Sequence, residues 1–282
     1  MENGSWTATK LEEIHKTARG IRSYSLVSTS RANSSHIGSC LSVTDILAVL
    51  YSNKELVGGI KDQALDRNRV ILSKGHAAAA MYGALIESQI LERPEDFLGE
   101  NSELIGHASH RVKGIEFSTG SLGHGLPIAV GTAFAYKKLN YHARTYCIIS
   151  DGECNEGTTW ESALIASQLK LDNLVLVIDF NKIQSYGSNS EILDIEPLGA
   201  KWESFGWNVK RIDGHDFFEL NQALFPDGNE KMGLDSPTVI ICDTIKGKGV
   251  SFMEGELKWH YSSANPQELR EALSQVENRH EK

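Results

Sequence analysis

The sequence predicts an α/β fold with a mostly parallel sheet and helices on both faces. Two short runs rich in β-branched and apolar residues, at residues 146–149 and 174–178, have the composition of strands. Between them, residues 156–170 show helical spacing, with an apolar stripe formed by Trp160, Ala163, Leu164 and Leu169. A strand, a helix and a strand in this order form a βαβ unit, whose two strands lie parallel in one sheet.

The same alternation continues on both sides of this unit. Upstream, the pattern predicts an N-terminal helix over residues 11–27. A capping box formed by Ser42 and Asp45 predicts the start of a second helix, which ends at Tyr51. A strand at residues 69–72 and a helix over residues 77–88 follow. An irregular excursion at residues 89–119, with a short helix begun by Pro94, leads into a glycine-rich loop that contains Gly120, Gly123 and Gly125. A helix of small residues follows this loop. Downstream, the pattern predicts a strand at residues 207–212, a helix at 217–224, a strand at 238–242 and a peripheral C-terminal helix from Asn265 and Pro266.

Length, charge and cysteine spacing limit the possible functions. A chain of 282 residues without repeats, low-complexity tracts or a Pro-rich linker is expected to form a single domain over residues 1–282. The net charge of −9 gives no electrostatic footprint for nucleic acid, and no apolar run reaches the length of a membrane span. The four cysteines lack CxxC spacing, which is typical of reduced thiols in the cytosol. We therefore expect a cytoplasmic protein with neither nucleic-acid nor membrane partners.

Polar side chains follow both strands of the central βαβ unit. Asp151 comes just after the first strand and Asn181 just after the second. Because parallel strands end on the same edge of a sheet, these residues should lie roughly 5 Å apart if the strands are neighbours. A carboxylate, an amide oxygen and a backbone carbonyl from the following loop are hard ligands that suit Mg²⁺. The alternative is a strand-end Asp and a turn Asn of an ordinary α/β protein.

A magnesium ion at this edge would imply a phosphate ligand. Mg²⁺ seldom takes a complete protein cage, so phosphate oxygens and water usually complete its coordination shell. The helix that opens near Asn155 and Glu156 would direct its free N–H groups toward the same edge, where a diphosphate is stabilised. Gly152 would let the backbone come close to that group.

Several strings in the chain resemble the transketolase version of the thiamine diphosphate signature. They are DGECNEG, WES, LKLDNLV and DFNKIQ around the central unit, LSKGH and TGSLG before it, and KGKG followed by Trp259 and His260 after it. The resemblance extends over about residues 10–265. The loop before the second helix, with His36 and Gly38, is also similar to the family. The chain departs from the family at four positions, with Ser150 and Tyr261 where Gly is usual, His124 where Gln is usual and Ile37 where Pro commonly follows the histidine.

The resemblance implies a thiamine diphosphate-binding fold with Mg²⁺ or another divalent cation. It implies metal ligation by Asp151, Asn181 and the carbonyl of Ile183. Further residues are expected to contact the cofactor, namely His76, Gly120, Leu122, Gly152, Glu156, Asn181 and His260. At Ser150, a Cβ where the family has none could crowd the diphosphate or shift the metal loop.

The resemblance also implies catalytic roles for three histidines. His36 and His260 match the family's proton-transfer groups at the donor C3 hydroxyl and the acceptor carbonyl, and His107 matches the residue that holds the donor C1 hydroxyl. His15, His142, His215 and His280 are expected to be surface or structurally satisfied residues. The roles of His110 and His124 remain open. The lysines of KGKG are equally compatible with a phosphate-binding site and with a solvated turn.

A partner chain follows from what the resemblance does not cover. Full-length transketolases are much longer than this chain, and the match stops after the diphosphate-binding domain. The missing pyrimidine-binding domain supplies a Glu to the cofactor in the family, and Glu156 and Glu161 match acidic residues at the interface between the two domains. The chain is therefore expected to be the N-terminal subunit of a two-chain transketolase, working as a heterotetramer with a C-terminal subunit. Its substrates would be a sugar phosphate or related ketose and an aldehyde.

Two other functions stay open on sequence grounds. An E1-type dehydrogenase component or a deoxyxylulose-phosphate-synthase-like enzyme would share the DG and Asn signature, although the histidine loops argue against both. A non-catalytic scaffold subunit that binds Mg-diphosphate is the alternative outside enzymology, and Ser150 together with the missing half keeps it open.

Overall fold

The computed structural model describes residues 8–94, 97, 102–226 and 235–278. Within them, the sheet contains β1 (Arg69–Leu72), β2 (Thr145–Ser150), β3 (Leu174–Phe180), β4 (Asn208–Asp213) and β5 (Thr238–Asp243). The helices of the first half are α1 (Ala8–Arg31), α2 (Ile37–Tyr51), α3 (Lys54–Lys61), α4 (Ala78–Glu87) and α5 (Gly125–Leu139). Those of the second half are α6 (Gly157–Gln168), α7 (Asn189–Ile192), α8 (Leu198–Ser204), α9 (Phe217–Leu224) and α10 (Pro266–Asn278).

The strands form one parallel sheet in the order β1-β2-β3-β5-β4. The central βαβ unit is confirmed, since β2 and β3 are neighbours and Ser150 pairs with Asp179 at the end of the ladder. Asp151 and Asn181 therefore leave the sheet at the same edge. Because all five strands run in one direction, the loops after β1, β2, β3 and β5 also reach this edge, and they carry most of the candidate site.

Alternating strand residues face two separate helical layers, which confirms helices on both faces. One side of the sheet, including Val70 and Val175, packs against α1, α2, α4 and α9. The other side, including Ile71 and Leu176, packs against α5, α6 and α8. Strands buried on both faces have near-continuous apolar sequences, and VIL, YCII, LVLVI and VIIC in these strands fit that rule. Within the described residues, no helix is long and apolar enough to cross a membrane.

The predicted start of α2 is wrong. The helix begins at Ile37, a turn before the proposed capping box, and its residues are buried throughout. Ser42 donates instead to Asp179 Oδ2 at 2.6 Å, and Asp45 Oδ2 accepts a hydrogen bond from Arg22 Nη2 at 2.7 Å. Both side chains meet distant partners because the helix is surrounded by protein, so a local capping pattern is misleading here.

The predicted apolar stripe of α6 is only half buried. Ala163 is fully buried, whereas Leu164 and Leu169 are 58% and 36% exposed. The helix turns its small residues toward the sheet and leaves larger apolar side chains outside. The patterns gave no signal for α3, α7 or α8, which are short. The short helix predicted from Pro94 falls largely on residues 95, 96 and 98–101, which lie outside the described residues.

An ion pair with no solvent exposure joins the loops at the carboxyl edge. The Lys74 ammonium, just after β1, pairs with Asp179 Oδ2 in β3, and both side chains are 0% exposed. Ser42 donates to the same oxygen, and Thr244 donates to Asp179 Oδ1. Burial by itself would raise the pKa of Asp179, but the Lys74 ammonium and these hydrogen bonds hold it below its usual value. One carboxylate thus connects α2 with the segments that follow β1 and β5.

Removing the cation of this pair should destabilise the fold strongly. Lys74→Met would leave the Asp179 carboxylate buried and unpaired, so we expect a loss of about 3–5 kcal/mol in the free energy of unfolding, measured with urea. As a control, Lys137→Met breaks the exposed Lys137–Asp172 pair, and it should change that energy by less than about 1 kcal/mol. Equal effects of the two variants would contradict the structural importance of the buried pair.

Candidate active site

Four histidines predicted from separate motifs lie together at the carboxyl edge of the sheet. The ring centroid of His36 is 5.2 Å from that of His76, 6.1 Å from that of His107 and 4.9 Å from that of His260. The rings of His76 and His260 are 6.0 Å apart. Side chains from positions 36 to 260 therefore form one cluster, with His107 the most exposed member.

Backbone contacts hold the histidines in place. His36 lies just before α2 in the left-handed region, with φ 75°, and its N–H donates to the carbonyl of His260 at 3.0 Å. The carbonyl of His107 accepts a hydrogen bond from the buried Tyr82 at 3.0 Å. Gly120 lets its loop pass close to His107, since a Cβ at Gly120 would lie 2.8 Å from the His107 ring. The glycine predicted to approach the cofactor thus also makes room for a neighbouring histidine.

Two buried lysines make the cluster electropositive. Burial, together with His107, Lys246 and Lys74, lowers the pKa of His36 to about 4. Burial and the same two ammonium groups, with His36, lower the pKa of His260 to about 3. The pKa of His76 also lies well below its usual value, first through burial and then through Lys74. At neutral pH these imidazoles are uncharged, so each has one nitrogen that donates and one that accepts.

Lys246 is a site residue that the sequence left undecided. Its side chain is buried, which excludes a solvated turn at this position. The ammonium donates to the Ile183 carbonyl at 3.0 Å and lies 3.1 Å from His260 Nδ1. Burial and the nearby Lys74 lower the pKa of Lys246 to about 8. A buried cation in this position can bind an anion that enters the edge. Lys74, the other buried lysine, is the lysine of the LSKGH string, so that string marked its position in the sequence.

The predicted metal ligands follow two neighbouring strands, with Asp151 after β2 and with Asn181 and Ile183 after β3. Asp151 is buried, and its Oδ2 accepts hydrogen bonds from the Lys182 N–H at 2.7 Å and from Asn189 Nδ2 at 3.0 Å. Burial and then Asp179 raise the pKa of Asp151. Asn181 is buried beside it, and its Oδ1 accepts from the Ile183 N–H at 3.2 Å.

This donor set fits a hard divalent cation that also takes ligands from outside the protein. It offers one carboxylate, one amide oxygen and one carbonyl, which are magnesium-type ligands and too few for a closed shell. The described residues contain no cluster of three or more His, Cys, Asp and Glu side chains that could hold a metal by themselves. Next to Asp151, the buried Oδ1 of Asn189 has no hydrogen-bond partner, so the polar edge has unused capacity.

Glu153 is a buried residue that the sequence patterns did not single out. Its buried carboxylate accepts hydrogen bonds from the Gly123 N–H at 3.0 Å, from the Ser150 N–H at 3.0 Å and from the Ser73 hydroxyl. It thereby connects the glycine-rich loop with the end of β2. Ser150 forms a capping box with Glu153, so its hydroxyl is used within the turn. That hydrogen bond gives Ser150 a structural role that the sequence analysis did not foresee.

The remaining predicted cofactor contacts border the same edge. Gly152 and Leu122 are half-buried, and Glu156 is exposed as the N-cap residue of α6. Glu156 lies against the glycine-rich loop, since a Cβ added at Gly123 would be 2.8 Å from the Cβ of Glu156. The departure Tyr261 contacts His260 with ring centroids 5.0 Å apart, and its hydroxyl donates to the Ser185 carbonyl. Tyr261 thus joins the His260 turn to the loop that follows Asn181.

The other histidines lie apart from the cluster. His142 and His124 are exposed, and His110 is exposed with Nδ1 2.7 Å from the Ser118 hydroxyl. His15 stacks edge-on against Phe217. His215 is structurally satisfied, as expected, through contacts described below, and His280 lies outside the described residues.

Sequence comparison finds relatives along nearly the whole chain. Residues 14–279 match the family described as transketolase, thiamine diphosphate binding domain. The chain is 38% identical over 256 residues to an apulose-4-phosphate transketolase subunit from Phocaeicola vulgatus, covering 89% of each chain. It is 36% identical over 273 residues to the 6-deoxy-6-sulfo-D-fructose transketolase subunit of a Clostridium species, covering 94% of this chain and 96% of the relative.

Longer relatives match over only part of their length. The chain is 35% identical to the transketolase of Pongo abelii, with 89% of this chain covering 40% of that protein. Among solved structures, the transketolase of Campylobacter jejuni superposes with a TM-score of 0.79 at 29% identity, covering 96% of this chain and 43% of that one. The chain therefore spans nearly the full length of the shorter relatives and about two fifths of these longer ones.

The neutral histidines should make the protein sensitive to mild acid. Their folded pKa values lie below the ordinary value of 6.5, so below pH 6.5 the unfolded chain binds protons that the folded chain does not. The free energy of unfolding should therefore fall as the pH drops from about 6.5 to about 4. His36→Gln/His260→Gln should flatten this slope in urea titrations, whereas His142→Gln on the surface should not. If the free energy of unfolding depends on pH in the double variant as it does in the wild type, the lowered pKa values of His36 and His260 would be contradicted.

Proposed function

Because the chain belongs to the transketolase family, we propose that it is the diphosphate-binding subunit of a two-chain transketolase. The reaction would move a two-carbon ketol unit from a ketose to an aldehyde with Mg²⁺ and thiamine diphosphate. The observation that carries the proposal is the meeting of the four-histidine cluster, the buried Lys246 and the Asp151–Asn181 edge in one place.

The cofactor would be held by its diphosphate at the carboxyl edge. Asp151, Asn181 and the Ile183 carbonyl would bind the metal, and Lys246 with the neutral His76 would contact the diphosphate. Gly120, Leu122, Gly152 and Glu156 would border it from the glycine-rich loop and the start of α6. When bound, thiamine diphosphate supplies the carbanion chemistry that allows the bond next to the ketose carbonyl to break.

The protein would contribute proton transfer and substrate positioning. Uncharged imidazoles close to one another can accept a proton at one nitrogen and donate one at the other. His36 and His260 would exchange protons with the donor C3 hydroxyl and the acceptor carbonyl. His107, the most exposed of the four, would hold the donor C1 hydroxyl. Burial, and then the nearby Lys246 and Lys74, lower the pKa of His36 and His260, which favours the uncharged imidazoles that these roles require.

A second chain would complete the site, as a C-terminal subunit in a heterotetramer. The relatives covered almost completely by this chain include proteins named as transketolase subunits. The surface is compatible with a partner, since α5 and α6 expose Phe134, Leu164 and Ile165 on the layer that borders the glycine-rich loop. By analogy with the names of these relatives, the donor would be a ketose that carries a phosphate or a related anionic group.

Mutation of Asp151 tests the metal and diphosphate assignment. Asp151→Ala removes the only charged protein ligand proposed for the metal, so Mg²⁺-dependent binding of thiamine diphosphate should be lost in calorimetry of the reconstituted complex. The control is Asp172→Ala, which removes an exposed carboxylate outside the site and should leave binding of thiamine diphosphate unchanged. Wild-type affinity in Asp151→Ala would refute the assignment.

Steady-state kinetics with the partner chain test the histidine roles. His36→Ala and His260→Ala should each lower kcat by about 10²–10⁴, as expected for loss of a positioned acid or base, with cofactor affinity changed far less. His107→Ala should mainly raise KM for the donor ketose. His142→Ala is the matched control and should do neither.

Three results would contradict this view. Full ketol transfer by the purified single chain would exclude the need for a partner. Decarboxylation of pyruvate by the complex would favour an E1-type or synthase-like enzyme. Wild-type kinetics in all three site variants would favour a non-catalytic role.

A further inference from the structure

The turn after β4 lies close against the segment that follows β5. Gly214 permits this approach, because a Cβ there would lie 2.9 Å from Cys242 Cβ and would overlap the Thr244 side chain. The Gly214 N–H donates to the Asp243 carbonyl at 2.9 Å. The next residue, His215, is thereby brought beside the loop of residues 244–249, which carries Lys246.

His215 connects this loop to a buried carboxylate. Its Nε2 accepts a hydrogen bond from the Ile245 N–H at 2.8 Å, and its Nδ1 lies 2.7 Å from Asp45 Oδ2. A backbone N–H can only donate, so Nε2 is the accepting nitrogen and the proton resides on Nδ1, which donates to Asp45. The His215 and Asp45 side chains are only 8% and 3% exposed.

Arg22 connects the same carboxylate to the other side of the loop. Its Nη2 donates to Asp45 Oδ2 at 2.7 Å, and its Nε donates to the Lys248 carbonyl at 3.2 Å. Burial would raise the pKa of Asp45, but Arg22 and His215 hold it below the usual value. The anion of Asp45 thus organises two contacts on the loop, at Ile245 and at Lys248, with Lys246 between them.

We propose that His215 and Arg22, joined through Asp45, are positioning residues that fix the loop so that the Lys246 ammonium faces the anion-binding edge. The Lys246 side chain leaves this loop to reach the Ile183 carbonyl and His260 Nδ1. A loop released on one side would let that ammonium move away from both partners. The identity of the anion as a diphosphate rests on the proposed function, whereas the fixing of the loop does not.

Two substitutions at position 215 separate the two hydrogen bonds. In His215→Gln, the amide oxygen can take the place of Nε2 and keep the Ile245 contact. In His215→Asn, the amide can take the place of Nδ1 and keep the Asp45 contact, but it cannot reach Ile245. By hydrogen exchange, the Ile245 amide should exchange about tenfold faster in His215→Asn and near the wild-type rate in His215→Gln. The amides of β5 serve as the internal control, since only a global loss of stability would change their rates.

Binding of inorganic pyrophosphate, measured by calorimetry on the full chain, tests the consequence for Lys246. His215→Asn should weaken binding about tenfold, and His215→Gln should restore it. Lys246→Met should abolish binding. If His215→Asn does not fold, Arg22→Lys replaces it, because it keeps a charge near Asp45 but loses the guanidinium contact with Lys248.

The outcomes distinguish the two proposals. The positioning role would be overturned if His215→Asn kept both the wild-type exchange rate at Ile245 and the wild-type affinity for pyrophosphate. If Arg22→Lys is used in its place, wild-type affinity for pyrophosphate would overturn that role. Pyrophosphate affinity that is unmeasurable in the wild type or unchanged in Lys246→Met would count against the proposed diphosphate site. In that case, the exchange rate of Ile245 would still decide whether His215 fixes the loop.

Discussion

The buried Lys74–Asp179 ion pair is the contact on which the carboxyl edge depends. An ion pair with 0% exposure is stable only if its remaining hydrogen-bonding capacity is satisfied, and Ser42 and Thr244 do this for Asp179. These partners come from α2 and from the segment after β5. The electrostatic requirement of one carboxylate therefore fixes the relative positions of segments that are far apart in the sequence.

The same edge combines positive charge with low solvent exposure. Lys74 is paired, whereas Lys246 lies against a carbonyl and a neutral imidazole. Burial is the main reason why the pKa values of His36 and His260 lie below 6.5, and the nearby lysines lower them further, so both imidazoles are uncharged at neutral pH. An anion entering the edge would pair with the Lys246 ammonium. The uncharged imidazoles are available as proton carriers, which suits the proposed ketol transfer.

Buried carboxylates support the site from behind at two further places. Glu153 accepts N–H groups from the glycine-rich loop and from the end of β2. Asp45 reaches the loop of Lys246 through His215 and Arg22. Both carboxylates act on backbone groups, so they control loop shape. Irregular loops at a sheet edge have few hydrogen bonds of their own, and partners of this kind supply them.

The sequence by itself determined the features that depend on local order along the chain. Strand ends, glycine positions and the strings around Asp151, Asn181 and the four histidines predicted a parallel sheet and the residues at its carboxyl edge, because parallel strands must end together. Tertiary structure decided which polar side chains meet. Lys74 and Asp179 are 105 residues apart, and His215 and Asp45 are 170 apart, so no local pattern identifies them as partners. Ser42 and Asp45 formed a plausible capping box in the sequence, yet burial gave each a distant partner, because a buried polar group must be satisfied by whatever the fold brings within reach.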